Sequence, residues 1–290
     1  MSQQRNGPVV VGVDGSESAL DAVRSAATEA AARGTGLRLV AVFTPLPAGT
    51  RHDLGLAPVH RQQVTDTLRE QLESAARVAA AAAPGVAAET ELRTGFPAQV
   101  LVEESWTAAL TVVGSRGLGG FSGLLVGSVA VAVAAHGGSP VLVVRGDRAP
   151  DTGGPVVLGV DGSPAGEAAV GLAFEAASRR GVPLRAVHAW SDVHVAPAAA
   201  VLIDREAMET EERALLAEQL AGWSEKYPDV AVEQIVVRDR PAHALVEESA
   251  RAGLVVVGSR GRGGLTGLLL GSVGHALLHH AQSPVLIARP

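Results

Sequence analysis

Cysteine is absent from the 290 residues. That excludes disulfides, thiol catalysis and cysteine-ligated metal centres. Aromatic side chains are scarce, at 3% of the chain. Excess positive charge is missing too: the formal net charge is −6 and the basic residues are scattered, so no basic stripe for nucleic acid can be drawn. No apolar run of signal-peptide length precedes Asp14. The most apolar segment, Val126 to Val144, is interrupted by His136, Gly137, Gly138 and Pro140, which argues against a membrane span. These absences lead us to expect a cytoplasmic protein that neither inserts into membranes nor binds nucleic acid. What is present is a hydrophobic content of 47%, rich in Ala and Val, which is a globular balance and not a disordered one.

The sequence is written twice. "VVVGVDGS" (Val9 to Ser16) returns as "VVLGVDGS" (Val156 to Ser163), "LVEES" (Leu101 to Ser105) as "LVEES" (Leu245 to Ser249), and "SPVLVVR" (Ser139 to Arg145) as "SPVLIAR" (Ser283 to Arg289). A repeat this long is a duplicated domain, not a short solenoid unit. It sets a first domain over 1–146, a linker over 147–154 within "GDRAPDTGGP", and a second domain over 155–290.

Within the first copy, strand and helix patterns alternate. Strands are expected over Pro8–Val13, Leu37–Phe43, Val86–Leu92, Leu110–Gly114 and Pro140–Val144. Helices are expected over Ser16–Arg33, Gln62–Ala83, Pro97–Thr107 and Gly127–His136. The second copy follows the same order. Strands joined by crossover helices define an α/β fold: two tandem domains, each a parallel sheet with helices on both faces. Ligands in such sheets sit outside the carboxyl ends of the strands, where the strand order switches. Asp14 and Asp161, which end the first strand of each copy, fall there, as do the glycine-rich loops that leave the fourth strands.

Each loop carries G-x2-G-x9-G-S: Gly114, Gly117, Gly127-Ser128, and Gly258, Gly261, Gly271-Ser272. A positive φ at Gly117 and Gly261 is expected to turn successive N–H groups toward one point. Gly127-Ser128 and Gly271-Ser272 open helices, whose free N–H groups and dipole favour an anion, and the serine hydroxyl can donate to phosphate or cap the helix. Backbone donors of this kind can hold phosphate without a lysine. The spacing matches neither the Walker loop nor the dinucleotide fingerprint. The thirteen residues between Gly114 and Ser128 exceed the roughly 2–6 of an ordinary strand-to-helix connection, which favours function over mere linkage.

Other residues carry less. Arg116 and Arg260 can pair with phosphate or stay solvated; Ser115 and Ser259 are equally ambiguous. Asp14 and Asp161 can accept a ribose hydroxyl, hold Mg²⁺ through water, or serve the turn that "DGS" favours. His275 and His279 have the spacing of a metal pair, but Val131 and Ala135 stand at those positions in the first copy, so no metal site is expected. Glu103-Glu104 and Glu247-Glu248 read as solvated helix surface. No G-x-S-x-G and no Ser-His-Asp arrangement can be read, and no catalytic residues are assigned.

The loop motif, the Asp-terminated first strand and the final Ser-Pro-Val strand (Ser139 to Val141, Ser283 to Val285) resemble the nucleotide-binding members of the universal stress protein family. The second half, through "HAWSDV" (His188 to Val193) and "VVVGSRGRGG" (Val255 to Gly264), is similar to the C-terminal half of mycobacterial-type tandem members that bind ATP. The resemblance implies a five-stranded, Rossmann-like sheet in each half, of the adenine nucleotide alpha hydrolase type. It implies adenine beside the second strand at Val42 and Val187, with ribose and phosphates near the Asp and the loop. The implied first site comprises Gly12, Asp14, Val42, Gly114, Ser115, Arg116, Gly117, Leu118, Gly119, Gly120, Gly127, Ser128 and Val129. The implied second site comprises Gly159, Asp161, Val187, Gly258, Ser259, Arg260, Gly261, Arg262, Gly263, Gly264, Gly271, Ser272 and Val273.

The loops after the second strands, "TPLPAGTRHDLGLAPVH" and "SDVHVAPAAAVLI", are expected to cover the nucleotide. The resemblance further implies two ATP per chain with Mg²⁺ as companion ion, a regulatory role in stress and growth adaptation, a regulatory protein partner, packing of the two halves through their final strands and nearby helices, and a homodimer of such chains. The alternatives are a slow ATPase or phosphotransferase on the same scaffold, and a ligand-free scaffold for protein association.

Overall fold

A computed structural model describes residues 7–45, 57–118, 126–145, 153–163, 166–190, 205–261 and 269–289. The chain divides into two compact units, Gln3–Pro150 and Asp151–Pro290. The expected linker contributes only Gly153 and Gly154 to the described residues.

In the first unit, β1 (Val9–Val13), α1 (Glu17–Arg33), β2 (Leu37–Phe43), α2 (Ala57–Ala82), β3 (Ala88–Thr94), α3 (Pro97–Ser105), β4 (Leu110–Gly114), α4 (Ser128–His136) and β5 (Val141–Val144) follow in order. The strands lie as β3-β2-β1-β4-β5, all parallel. The chain runs outward from β1 to β3, then returns to β4 on the other side of β1. Right-handed crossovers therefore put α1 and α2 on one face and α3 and α4 on the other. The switch in strand order falls between β1 and β4.

The second unit repeats this with β6 (Val156–Gly159), α5 (Glu167–Arg180), β7 (Leu184–Trp190), α6 (Arg205–Lys226), β8 (Val232–Arg238), α7 (Pro241–Ser249), β9 (Leu254–Gly258), α8 (Ser272–His280) and β10 (Val285–Ala288). Its order is β8-β7-β6-β9-β10, again parallel.

Local chemistry explains the boundaries. The Ser16 hydroxyl accepts the Ala19 N–H at 3.2 Å and caps α1; Gly34, at φ 64°, ends it in the left-handed conformation that glycine adopts most cheaply. The central strands are continuous apolar runs because both their faces are covered. The edge strand β3, "AETELRT", lies two residues beyond the expected Val86–Leu92. Its position comes from pairing, Leu37 with Ala88 through Phe43 with Thr94, and not from burial, since most of it is exposed. Helix α2 begins at Ala57, earlier than the expected Gln62.

The expectation for the paired glutamates holds for Glu103 and fails for Glu104. Glu104 is buried and bound by Arg38 (3.1 Å) and Arg93, which fastens α3 to β2 and β3. Glu248 does the same through Arg185 (3.1 Å). A buried carboxylate is tolerable only with such partners.

The two cores are filled differently. Ala27, Ala79 and Ala83 are buried between α1 and α2. At the corresponding stations stand Phe174 on α5, Trp223 on α6 and Tyr227 just past its end, whose rings stack with centroids 5.9–6.3 Å apart. Gly171 makes room for Trp223, whose ring would lie 2.6 Å from a Cβ there.

A smaller difference yields a test. In the first unit the Thr111 and Ser139 hydroxyls are buried and bonded to each other at 2.8 Å. In the second, Val255 replaces the threonine, and Ser283 Oγ is buried without a partner. Ser139→Ala strands the Thr111 hydroxyl and should cost about 1–3 kcal/mol, whereas Ser283→Ala removes an unsatisfied group and should be neutral or stabilising. Denaturant unfolding of the two variants measures the contrast; equal losses would contradict it.

Candidate functional site

The carboxyl end of the first sheet opens into a cleft of about 830 Å³. Its floor comes from β1 (Gly12, Val13, Asp14) and β2 (Val40, Val42), and one side from the loop and helix start after β4. Of the residues expected in the first site, Gly12, Asp14, Val42, Gly114, Arg116, Gly117, Leu118, Gly127, Ser128 and Val129 line this cleft. Gly119 and Gly120 lie outside the described residues.

Ser115 does not line it. Its side chain is buried, and its backbone acts as a clasp: Ser115 N–H donates to Val144 O (2.8 Å), and Ser115 O accepts from Gly127 N–H (2.7 Å). The long loop thus leaves and re-enters at one residue. Ser259 repeats the clasp with Ala288 (3.0 Å) and Gly271 (2.8 Å).

The carboxylate of Asp14 organises the rest. Oδ1 accepts from the Ser16 N–H (3.0 Å) and hydroxyl (2.6 Å); Oδ2 accepts from the Leu118 N–H (2.9 Å). The turn role and the site role fall to the same side chain, one oxygen each. Asp161 repeats the first half with Ser163 N–H (3.0 Å) and hydroxyl (2.8 Å).

This carboxylate corrects the expectation for the loop glycines. Neither Gly117 nor Gly261 has a positive φ; the positive-φ glycines of these turns are Gly15 (85°) and Gly162 (72°), beside the aspartates. Gly117 is required for a different reason. A Cβ there would overlap Asp14 Oδ2, and one at Gly261 would stand 2.6 Å from Asp161 Oδ2. The carboxylate needs the space, and the backbone needs no unusual conformation.

Helices α4 and α8 begin with glycine N-caps, Gly127 and Gly271, without a side-chain cap. Ser128 and Ser272 are the first helical residues, so of the two roles open to the serines, phosphate donor or helix cap, capping is not used. The first intrahelical bonds are Val131 N–H to Gly127 O (3.2 Å) and His275 N–H to Gly271 O (3.0 Å). The N–H groups of Ser128, Val129 and Ala130, and of Ser272, Val273 and Gly274, precede them and are left to an external acceptor.

In the second unit Gly159, Asp161, Gly258, Ser259, Arg260, Gly261, Gly271, Ser272 and Val273 stand at the corresponding positions of their strands, loop and helix, while Arg262, Gly263 and Gly264 lie outside the described residues. Burial, and then the Arg260 guanidinium, hold Arg289 below the usual arginine range. On the α7 rim Asp239 and His243 are paired at 2.6 Å; the histidine lowers the pKa of Asp239, which in turn raises that of His243.

Strand register corrects one pairing of site residues. Gly12 pairs with Val40, and Gly159 with Val187. Val187 is therefore the counterpart of Val40, and Val42 corresponds to Ala189. Both Val40 and Val42 line the first cleft, being two apart on one strand face.

Sequence reasoning missed the wall formed by α2: Gln63, Val64, Thr67, Leu68 and Gln71. Their spacing at three and four residues marks one helix face, and that signal was present but pointed to core as readily as to a cleft. Most of the two segments expected to cover the nucleotide lies outside the described residues. On α8 the His275 and His279 rings are 4.6 Å apart, and among the described residues no group of three His, Asp or Glu side chains forms a metal site.

Close approach and positive φ make different predictions for a double-mutant cycle. Gly117→Ala should destabilise the native chain by about 1–2 kcal/mol, and the loss should shrink by at least about 0.5 kcal/mol once Asp14→Ala removes the carboxylate it collides with. A backbone strain at Gly117 would persist in both backgrounds. Unfolding of wild type, both single variants and the double variant measures the coupling.

Residues 6–145 and 154–289 each match the Universal stress protein family. A universal stress protein of Mycobacterium tuberculosis is 44% identical over 291 residues, covering 97% of this chain and 96% of that protein. The crystal structure of a universal stress protein from Archaeoglobus fulgidus is similar in fold, with a TM-score of 0.71 at 20% identity over 99% of both chains. A universal stress protein solved in complex with cAMP matches 48% of this chain and 97% of its own length at 31% identity, with a TM-score of 0.37. The chain belongs to the universal stress protein family, as a tandem of two of its domains.

Proposed function

We propose that the protein binds adenine nucleotide, ATP in the first instance, at one cleft per unit, and acts as a nucleotide-dependent regulator with little or no turnover. The observation that carries this reading is the first cleft. Its volume of about 830 Å³ falls within the roughly 300–1,000 Å³ of small-molecule sites. An apolar floor at Val40 and Val42 suits a base. Opposite it, the N–H groups of Ser128, Val129 and Ala130 at the α4 dipole suit phosphate oxygens. Arg116 lies on the lining and can add a cation.

Asp14 has three donors on its two oxygens already. The remaining lone-pair capacity fits a ribose hydroxyl. Mg²⁺ would travel with the phosphates and reach Asp14 only through water. The homodimer implied by the family resemblance belongs to the same reading, with light scattering at micromolar concentration as its check.

Little turnover follows from what the lining offers. Among the described residues, Asp14 is the one carboxylate on the first cleft, and Ser16 and Leu118 occupy it. Phosphoryl transfer needs a positioned base or water-orienting group and charge neutralisation.

Two measurements test this. Denaturing freshly purified protein and analysing the supernatant by mass spectrometry should release ATP. Calorimetry should give two ATP per chain, with Gly117→Ala weakening the first site about tenfold or more while sparing the second, and Gly261→Ala doing the reverse. A chain that carries no nucleotide and binds none would overturn the reading. Hydrolysis should accumulate product over hours; steady turnover at about 1 s⁻¹ or faster, an ordinary enzymatic rate, would assign the site to the ATPase alternative.

A further inference from the structure

The two units share their glycine loops but not the long helices beside them, and the second cleft proposed above takes its wall from α6 where the first takes it from α2. Counting back from the paired edge strands β3 and β8, Leu68 on α2 corresponds to Glu212 on α6; Ala41 on β2 corresponds to His188 on β7. Leu68 lines the first cleft. In the second unit the apolar Ala41 and Leu68 are thus replaced by a histidine and a glutamate, and these two bond to each other: His188 Nε2 lies 2.8 Å from Glu212 Oε2.

The chemistry of that bond is constrained. His188 is 6% exposed, and its Nδ1 lies 2.8 Å from Val160 O. A carbonyl only accepts, so Nδ1 carries hydrogen and donates to it. The contact between Nε2 and a carboxylate oxygen then requires a proton as well, on the ring or on the carboxyl. The couple therefore holds one proton between its members and is neutral as a unit, so it does not repel a polyphosphate as a bare carboxylate would. Val160 immediately precedes Asp161, so the bond to Val160 O fixes the couple one residue from that aspartate.

Glu212 keeps one oxygen in reserve. Oε2 faces His188; Oε1 has no partner among the described residues, and the side chain is 21% exposed. The histidine fixes the carboxylate, and the open oxygen can only accept.

We propose that the His188–Glu212 couple is the specificity element of the second cleft: Glu212 Oε1 accepts a hydrogen bond from a donor on the nucleoside, either a ribose hydroxyl or the exocyclic amine of the base. The first cleft has leucine at that station and, among the described residues, no carboxylate on its α2 wall, where the side-chain acceptors are those of Gln63, Thr67 and Gln71. The inference rests on the nucleotide reading above and adds that the two sites of one chain select differently. A carboxylate fixed toward a donor penalises a ligand that lacks it more than a leucine at the same station does, because the acceptor is then desolvated and unpaired.

The experiment compares ATP with 2′-deoxy-ATP, which lacks one hydroxyl, and with inosine triphosphate, which exchanges the amine for oxygen. Calorimetry on Gly117→Ala reads the second cleft, and on Gly261→Ala the first. One of the two analogues should bind the second cleft about tenfold or more weakly than ATP while binding the first cleft within about threefold of ATP; which analogue loses identifies the donor.

Exchanging His188→Ala together with Glu212→Leu installs the residues of the first unit and avoids stranding a charge. It should abolish the discrimination and leave ATP bound. If that chain does not fold, Glu212→Met alone removes the acceptor with little change in volume, and it should likewise abolish the discrimination. Equal binding of all three nucleotides at the second cleft overturns the proposal, as does discrimination that survives both exchanges. Failure of the wild-type chain to bind ATP at either cleft would instead overturn the nucleotide reading itself.

Discussion

The contact on which each site depends is a carboxylate pressed against a glycine. Asp14 ends β1, Gly117 lies just beyond β4, and these strands are neighbours where the sheet order reverses. A parallel sheet leaves a crevice there, but a crevice does not position a loop of thirteen residues. Two links do so. The Ser115 backbone clasps the exit and return of the loop, and Asp14 holds the Leu118 N–H. Because Asp14 also bonds the Ser16 N–H and hydroxyl, the start of α1 and the loop after β4 share one anchor. Any side chain at Gly117 would disturb both.

Under the nucleotide reading proposed above, that arrangement would let the site hold a phosphate without lysine. A lysine in a phosphate loop supplies a point charge on a flexible stem, which loses rotamer entropy when it is fixed. Here the donors are N–H groups already fixed by the α4 backbone, and the glycine N-cap leaves them without a competing side-chain acceptor. The helix dipole adds partial positive charge at the same place. The cation that remains, Arg116, is exposed and adjustable.

Much of this was legible in the sequence because glycine, aspartate and proline mark backbone events. The duplication, the strand-helix alternation, and the assignment of Asp14 and the glycine loop to one end of the sheet needed only spacing and the rules of parallel sheets. The reason for Gly117 was not legible. Positive φ and close approach both demand glycine, and only a third atom, Asp14 Oδ2, separates them. Edge strand β3 was displaced because its place is set by hydrogen bonds to β2, which hydrophobic pattern does not encode. Glu104 looked like solvated surface because its two arginines, Arg38 and Arg93, come from other elements. The α2 wall escaped for the same reason: a face with three-four spacing looks alike over a core and over a cleft.

The two copies diverge in a manner that follows from packing. Loop positions are held by backbone geometry, where a single Cβ collides with a carboxylate, and both copies keep them. Interior positions are held by volume and by satisfied polar groups, which can be traded in sets. Three alanines between α1 and α2 become three stacked rings between α5 and α6, with Gly171 yielding the space that Trp223 takes. No single exchange in that set is neutral: a ring opposite the close-packed alanines would overfill the first unit, and one alanine among the rings would leave a cavity in the second. The exchange of Ala41 and Leu68 for His188 and Glu212 has the same character. A lone buried histidine would leave a ring nitrogen unsatisfied and a lone glutamate would leave a charge unpaired, so the pair must arise together. Unlike the aromatic set, it includes a position, that of Leu68, which lines the first cleft, where a trade made for packing would also alter what a ligand meets.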